Sequence, residues 1–157
     1  MKTKLALWGL LAFGLGCSGT YESAAMKVRW ELPRGVKLLE EQAGPPRVAR
    51  FSDGVEIREV QAAPPAIEEG KLEELLPKIG AQAGVATTGN IISARLGDLP
   101  PGKVVRWTLK DGDKRGLVYF LPSGKRFLVI SLMGAEGHYA QMENQFELSL
   151  SSLRVRD

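Results

Sequence analysis

A chain of 157 residues with one cysteine and one histidine has room for one compact domain with a sizeable core and not for two. No internal disulfide can form, and no metal site built from several histidines can exist. The 21 basic and 18 acidic residues give a small positive excess. Lys2 and Lys4, both in the first four residues, supply most of it, so the rest of the chain is nearly balanced and lacks the electrostatic footprint of a nucleic-acid binder.

Behind these two lysines an apolar run extends from Leu5 to Leu15. It is far short of the roughly 20 residues a spanning helix needs, and it matches the basic start and short apolar core of a secretory signal. It ends in Gly14, Leu15, Gly16 and Cys17, which resembles the lipobox of bacterial lipoproteins, with Gly14 where leucine is usual. That resemblance implies cleavage before Cys17 and a lipid on its thiol. Residues 1–16 are therefore expected to be a signal peptide, 17–25 a lipidated cysteine and short polar tether, and 26–157 the folded domain. Ser18 is not the aspartate that retains many lipoproteins in the inner membrane. The expected location is the cell envelope, anchored by lipid to the outer membrane and facing the periplasm.

In "KVRWELPRGVKLLE" the alternation of Val28, Trp30 and Leu32, then Val36 and Leu38, around a Pro-Arg-Gly turn predicts one or two short strands. Asp53-Gly54 between two extended runs predicts a hairpin. The period then changes. Leu72, Leu75, Leu76, Ile79 and Ala83 fall on one helical face, with Glu68, Glu69, Glu73 and Glu74 near the end where the helix dipole favours them. Pro77 either kinks this helix or opens a later, shorter one. From Asn90 four strands follow in sequence, "NIISARL", "KVVRWTL", "RGLVYFLP" and "RFLVISLM", joined by the turns "GDLPPG", "KDGDK" and "SGK". In the last two strands both alternating sets are apolar, which excludes a sheet with one wet face. Cover for at least one face comes from a C-terminal helix, in which Tyr139, Met142, Phe146, Leu150 and Leu153 recur at helical spacing.

Several stretches approach catalytic or binding motifs and fail them. "GDLPPGKV", residues 97–104, has phosphate-loop spacing up to Val104, where Ser or Thr belongs. Pro100 and Pro101 also have no N–H to offer a phosphate, so the segment reads as a turn. "DGDKRG", residues 111–116, starts like a calcium loop but places Arg115 at a ligand position. His138 would be the sole imidazole base, and Ser131 lies in an apolar strand without a nucleophile elbow. The carboxylate pairs Glu68/Glu69 and Glu73/Glu74 sit on an exposed helix face, where solvation accounts for them. Trp107, Tyr119 and Phe120 are candidates for an apolar ligand pocket, which core packing explains as well. The sequence therefore predicts no enzyme, no metal site and no cofactor.

The order of strands, helix, four-stranded meander and C-terminal helix resembles the PsbP-like fold, shared by thylakoid-lumen photosystem subunits and by bacterial exported lipoproteins of the DcrB kind. The residues carrying it are "GLVYFLPSGKRFLVISLMG" and "NQFELSLSSLRV", with Phe146, Ser152 and Leu153. It implies a single-domain α+β protein, an α/β/α sandwich around a central antiparallel sheet, with a non-enzymatic role in protein binding or assembly. A binder of a small apolar ligand or lipid is the alternative, and a hydrolase using Ser131 or His138 a further one. In an up-and-down meander successive turns alternate between the sheet ends. Lys103, Lys125 and Arg126 are then expected at one end, as candidate residues for binding a protein partner of unknown identity.

Overall fold

A computed structural model describes residues 19–84 and 89–156. The predicted signal peptide and Cys17 lie outside the described residues. The predicted meander is present as β6 (Asn90–Leu99), β7 (Gly102–Asp111), β8 (Lys114–Ser123) and β9 (Arg126–Ala135). The predicted strands before it are β2 (Val28–Glu31), β3 (Leu38–Gln42), β4 (Arg47–Phe51) and β5 (Val55–Val60). Strands β3 to β9 form one seven-stranded sheet in the order β3-β4-β5-β9-β8-β7-β6, every neighbouring pair antiparallel.

The Asp53-Gly54 hairpin joins β4 to β5 through Ser52–Gly54. Both Asp53 (φ 63°) and Gly54 (φ 75°) are left-handed, the backbone such a turn demands. Gly54 is required for a second reason. A Cβ there would lie 1.8 Å from the Met133 carbonyl oxygen, so the turn packs backbone to backbone against β9.

The two-faced strands account for the layering. In β8 and β9, Val118, Phe120, Phe127 and Val129 point to one face. Leu117, Tyr119, Leu121, Leu128, Ile130 and Leu132 point to the other. The first face is covered by α1 (Leu72–Ala83), whose predicted stripe of Leu72, Leu75, Leu76, Ile79 and Ala83 is buried throughout. Trp107 anchors the start of this helix by donating its Nε1–H to the Leu72 carbonyl at 2.9 Å. Arg58 of β5 caps the other end, donating to the Ala83 carbonyl at 3.2 Å.

One helix runs through Pro77, which lies on its exposed side. Pro77 deprives the Glu73 carbonyl of its helical donor, and burial of Leu75, Leu76 and Ile79 around it holds the helix together. Pro77→Ala should therefore raise stability by about 1–3 kcal/mol, seen as a higher urea midpoint. A lower midpoint would contradict the interior position.

The second face is covered by α2 (Glu136–Leu150), which buries Tyr139, Met142, Phe146 and Leu150, and by Leu153 just beyond it. This layer is not helical alone. β1 (Thr20–Ser23) and β10 (Arg154–Val155) pair with the two edges of β2 in a three-stranded antiparallel sheet. Trp30 at its centre is fully buried and sets its ring edge-on to Phe51 at 5.8 Å and to Phe146 at 6.0 Å. The Trp30 Nε1–H donates to Ser149 Oγ at 3.2 Å, and the Glu31 N–H to Ser152 Oγ at 2.9 Å.

Residues expected as tether are thus part of the fold. Tyr21 and Ser23 are buried, and the Gly19 carbonyl already accepts the Leu32 N–H at 2.7 Å. Hydrogen bonds to β2 recruit β1, which is why its small polar residues gave no strand signal.

Candidate functional site

The turns sort to the sheet ends as predicted. Val105 faces Phe120 and Phe120 faces Val129, so the Pro100-Pro101 and Gly124-Lys125 turns share one end and the Gly112-Asp113 turn occupies the other. Lys103 stands in solvent and pairs with Asp98 at 2.8 Å. Lys125 is exposed at its turn.

Arg126 does not join them. Its guanidinium turns inward to Glu59 and also donates to the carbonyls of Met26 at 2.6 Å and Arg156 at 2.8 Å. Grouping Arg126 with the exposed lysines is corrected by this geometry: its charge is spent on a buried carboxylate, and its donors tie the small sheet to the large one.

Glu59 has no accessible surface. Besides Arg126 it accepts Arg47 Nη1 and Gln61 Nε2, each at 2.7 Å. Burial by itself would raise its carboxyl pKa, but the hydrogen bonds from Arg47 and Arg126 outweigh that and hold it below the ordinary range. Sequence reasoning passed over Glu59, although a signal existed. In "VEIREV" Glu59 has the same parity as Val55 and Ile57, whose side chains enter the core.

A second polar cluster, also missed, lies where α2 meets β7 and β8. Arg106 alternates with Val105 and Trp107, which face α1, and so projects under α2. There it is 8 % exposed. Its Nε donates to Glu147 Oε1 at 2.7 Å and to the Tyr119 hydroxyl at 3.2 Å, its Nη1 to Thr108 Oγ1 at 3.0 Å, and its Nη2 to Glu143 Oε1 at 3.4 Å. The Tyr119 hydroxyl donates to Glu147 and that of Tyr139 to Glu143, both at 2.8 Å. Burial, and then the hydrogen bond to Glu147, push the Tyr119 phenol up to about 12. Burial and Glu143 raise Tyr139 likewise. Both phenols therefore stay protonated through the neutral range, as donors to carboxylates and not as bases. Beyond this cluster the sheet surface is open. Ser93 and Arg95 of β6, across from Thr108 and Arg106, are exposed.

The remaining candidates separate. Trp107 and Phe120 belong to the α1 face and Tyr119 to the α2 face, so the three aromatics do not line one pocket. Ser131 is buried on β9 with the parity of Val129, hence on the α1 side. His138 stands in the first turn of α2, on the opposite side, with Nε2 3.5 Å from Asp53 Oδ1. Ser131 and His138 cannot act as a nucleophile and base pair across the sheet. Residues 97–104 and 111–116 are strand ends and turns. Among the described residues no group of three or more His, Cys, Asp or Glu side chains is placed to hold a metal ion, and no helix is long and apolar enough to cross a membrane.

No family model and no curated protein matches the chain. Its fold does match solved structures. Cyanobacterial PsbP (CyanoP) from Synechocystis sp. PCC 6803 superposes with a TM-score of 0.62 at 12% identity, covering 96% of this chain and 99% of that one. A Pseudomonas aeruginosa protein of unknown function, PA94, superposes with a TM-score of 0.50 at 12% identity, covering 90% and 99%. At such identity the likeness concerns architecture alone. The helices packed on both faces of a large antiparallel sheet are those of the PsbP-like fold.

Proposed function

We propose that this protein is a lipid-anchored component of the bacterial cell envelope, outer-membrane attached and facing the periplasm, that binds another protein and assists a membrane-associated assembly without catalysing a reaction. The observation that carries the reading is the PsbP-like fold, matched across 96% of the chain by CyanoP. Two further features support it. The sequence around Cys17 resembles a lipobox, and the first strand, β1, starts at Thr20, three residues further on in the sequence. The internal charged groups, Glu59, Arg106 and Arg126, are all engaged by other groups of the chain, which leaves recognition to surface residues. The partner surface is the turn end bearing Lys103 and Lys125, where Pro100 and Pro101 stiffen the adjoining loop and lower the cost of ordering it.

Two measurements test this. Metabolic labelling with a fatty acid should mark the native protein and not Cys17→Ala; label on the substituted protein would remove the lipid assignment. The double reversal Lys103→Glu with Lys125→Glu should weaken capture of a partner from the protein's own membranes, more so at low salt, with thermal stability little changed. Undiminished capture by the folded variant would place the binding surface elsewhere.

A further inference from the structure

The seven-stranded sheet ends at β6 on one side and at β3 on the other. An edge strand of an antiparallel sheet turns the N–H and C=O of every second residue outward, where no neighbouring strand pairs with them. The two edges are guarded differently. β3 has five residues, its pairing shifts between Leu38 and Glu40, and it carries the adjacent carboxylates Glu40 and Glu41. β6 has ten residues, and over residues 93–99 its pairing with β7 runs without a shift. Neither proline nor lysine occurs within β6. Among the described residues it is the longest strand at a sheet edge.

The two faces beside this edge differ in chemistry. On the α1 side Leu96 lies across from the buried Val105 and is itself 38% exposed. Ala94, on the same face, borders Glu69, Glu73 and Glu74 around the start of α1. On the α2 side Arg95 lies across from Arg106. Arg95 is exposed and has no ion-pair partner among the described residues. The carboxylates that could neutralise it are engaged: Glu143 and Glu147 by Arg106, and Asp98, on the α1 side, by Lys103. A strand laid along β6 therefore meets a free cation on one face and an apolar side chain, with carboxylates beyond it, on the other.

We propose that β6 accepts an extended segment of a partner protein as an eighth strand of the sheet, antiparallel to β6, with an acidic side chain beside Arg95 and apolar side chains beside Leu96. Main-chain hydrogen bonds supply the affinity, and the alternating side chains supply the selectivity. This mode of capture rests on the protein-binding reading and deepens it by stating how the partner is held. β6 runs directly into the Pro100-Pro101 turn, so the added strand abuts the sheet end that bears Lys103 and Lys125. A second copy of the chain suits the edge less well. Two-fold pairing of residues 93–99 about Leu96 would set Arg95 diagonally against Arg95 of the second copy, and like charges at that spacing repel.

The full chain, purified in detergent, is presented with a displayed library of random peptides. Enriched sequences should alternate acidic with apolar residues and lack proline. N-methylation along an enriched peptide should abolish binding at every second position and spare the positions between, because only one set of its amides faces β6. Arg95→Glu should weaken that peptide by about fivefold, Arg95→Lys should retain it, and Leu96→Lys should weaken it as an edge-guarding lysine does. No enrichment, N-methyl tolerance without a period of two, or indifference to Arg95→Glu each overturns strand addition. Capture of a partner from the protein's own membranes separates the two readings. If Leu96→Lys captures as well as the native chain while Lys103→Glu with Lys125→Glu does not, strand addition fails and protein binding stands. A native chain that captures nothing and enriches no peptide overturns both. Sedimentation showing a dimer that Leu96→Lys abolishes would assign the edge to a second copy and overturn the partner segment.

Discussion

Arg126→Glu should destabilise the domain by about 3–5 kcal/mol, the cost of leaving a buried charge without its partner. Glu59 is buried, so a second carboxylate in place of Arg126 would set like charges together in a site that solvent screens poorly. The substitution also removes the donors to Met26 and Arg156, which hold both the start of β2 and the chain end after β10. Urea denaturation measures the loss, and Arg126→Gln separates its parts by removing the cation without adding an anion. A change below about 1 kcal/mol would mean that Arg47 and Gln61 satisfy Glu59 unaided.

The pH dependence supplies an independent reading. Glu59 has its pKa lowered from the ordinary 4.5 in the folded protein, so the unfolded chain takes up its proton first as the solution is acidified. Its contribution to stability is complete above about 4.5 and is lost as pH falls below that through the folded value. In the Arg126→Gln protein this acid-side loss should be smaller, because less of the lowering remains to be reversed. This is also why the surface-reversal test is confined to Lys103 and Lys125. Including Arg126 would confuse lost binding with lost fold.

Phe146→Ala should cost about 3–5 kcal/mol, the usual range for truncating a buried aromatic. Phe146 has no accessible surface and lies at the meeting point of the second layer, edge-on to Trp30 at 6.0 Å and tilted against Tyr119 at 6.3 Å. Its removal opens a cavity between α2, the large sheet and β2 at once. Phe146→Leu keeps most of the volume and should cost less than about 1.5 kcal/mol. With a total stability on the order of 5–15 kcal/mol, the alanine variant should show a much lower urea midpoint. A loss under about 1 kcal/mol would remove Phe146 from the core and undo the docking of α2.

What the sequence determined was whatever repeats along the chain. The four-strand meander, the two-faced strands β8 and β9, the stripe of α1, the stripe of α2 and the Asp53-Gly54 hairpin were all legible, because each is a periodic pattern or a turn preference expressed within about twenty residues. β1 and β10 were not, for they have four and two residues, too few to show a period. Their strand character comes from hydrogen bonds to β2, which follows β1 directly and which β10 reaches only after the rest of the domain has folded back. The polar sites followed the same division. The parity of Glu59 with Val55 and Ile57 marked it as inward-facing, whereas Arg106 shares its parity with Thr108 and Lys110, and in neither case could parity say that Arg47 and Arg126, or Glu143 and Glu147, would meet the side chain. Nor could the sequence separate Arg126 from Lys125, one residue away. Only the tertiary structure decided this, because neighbouring side chains of a strand point to opposite faces, and whether a face is wet or dry depends on what packs over it.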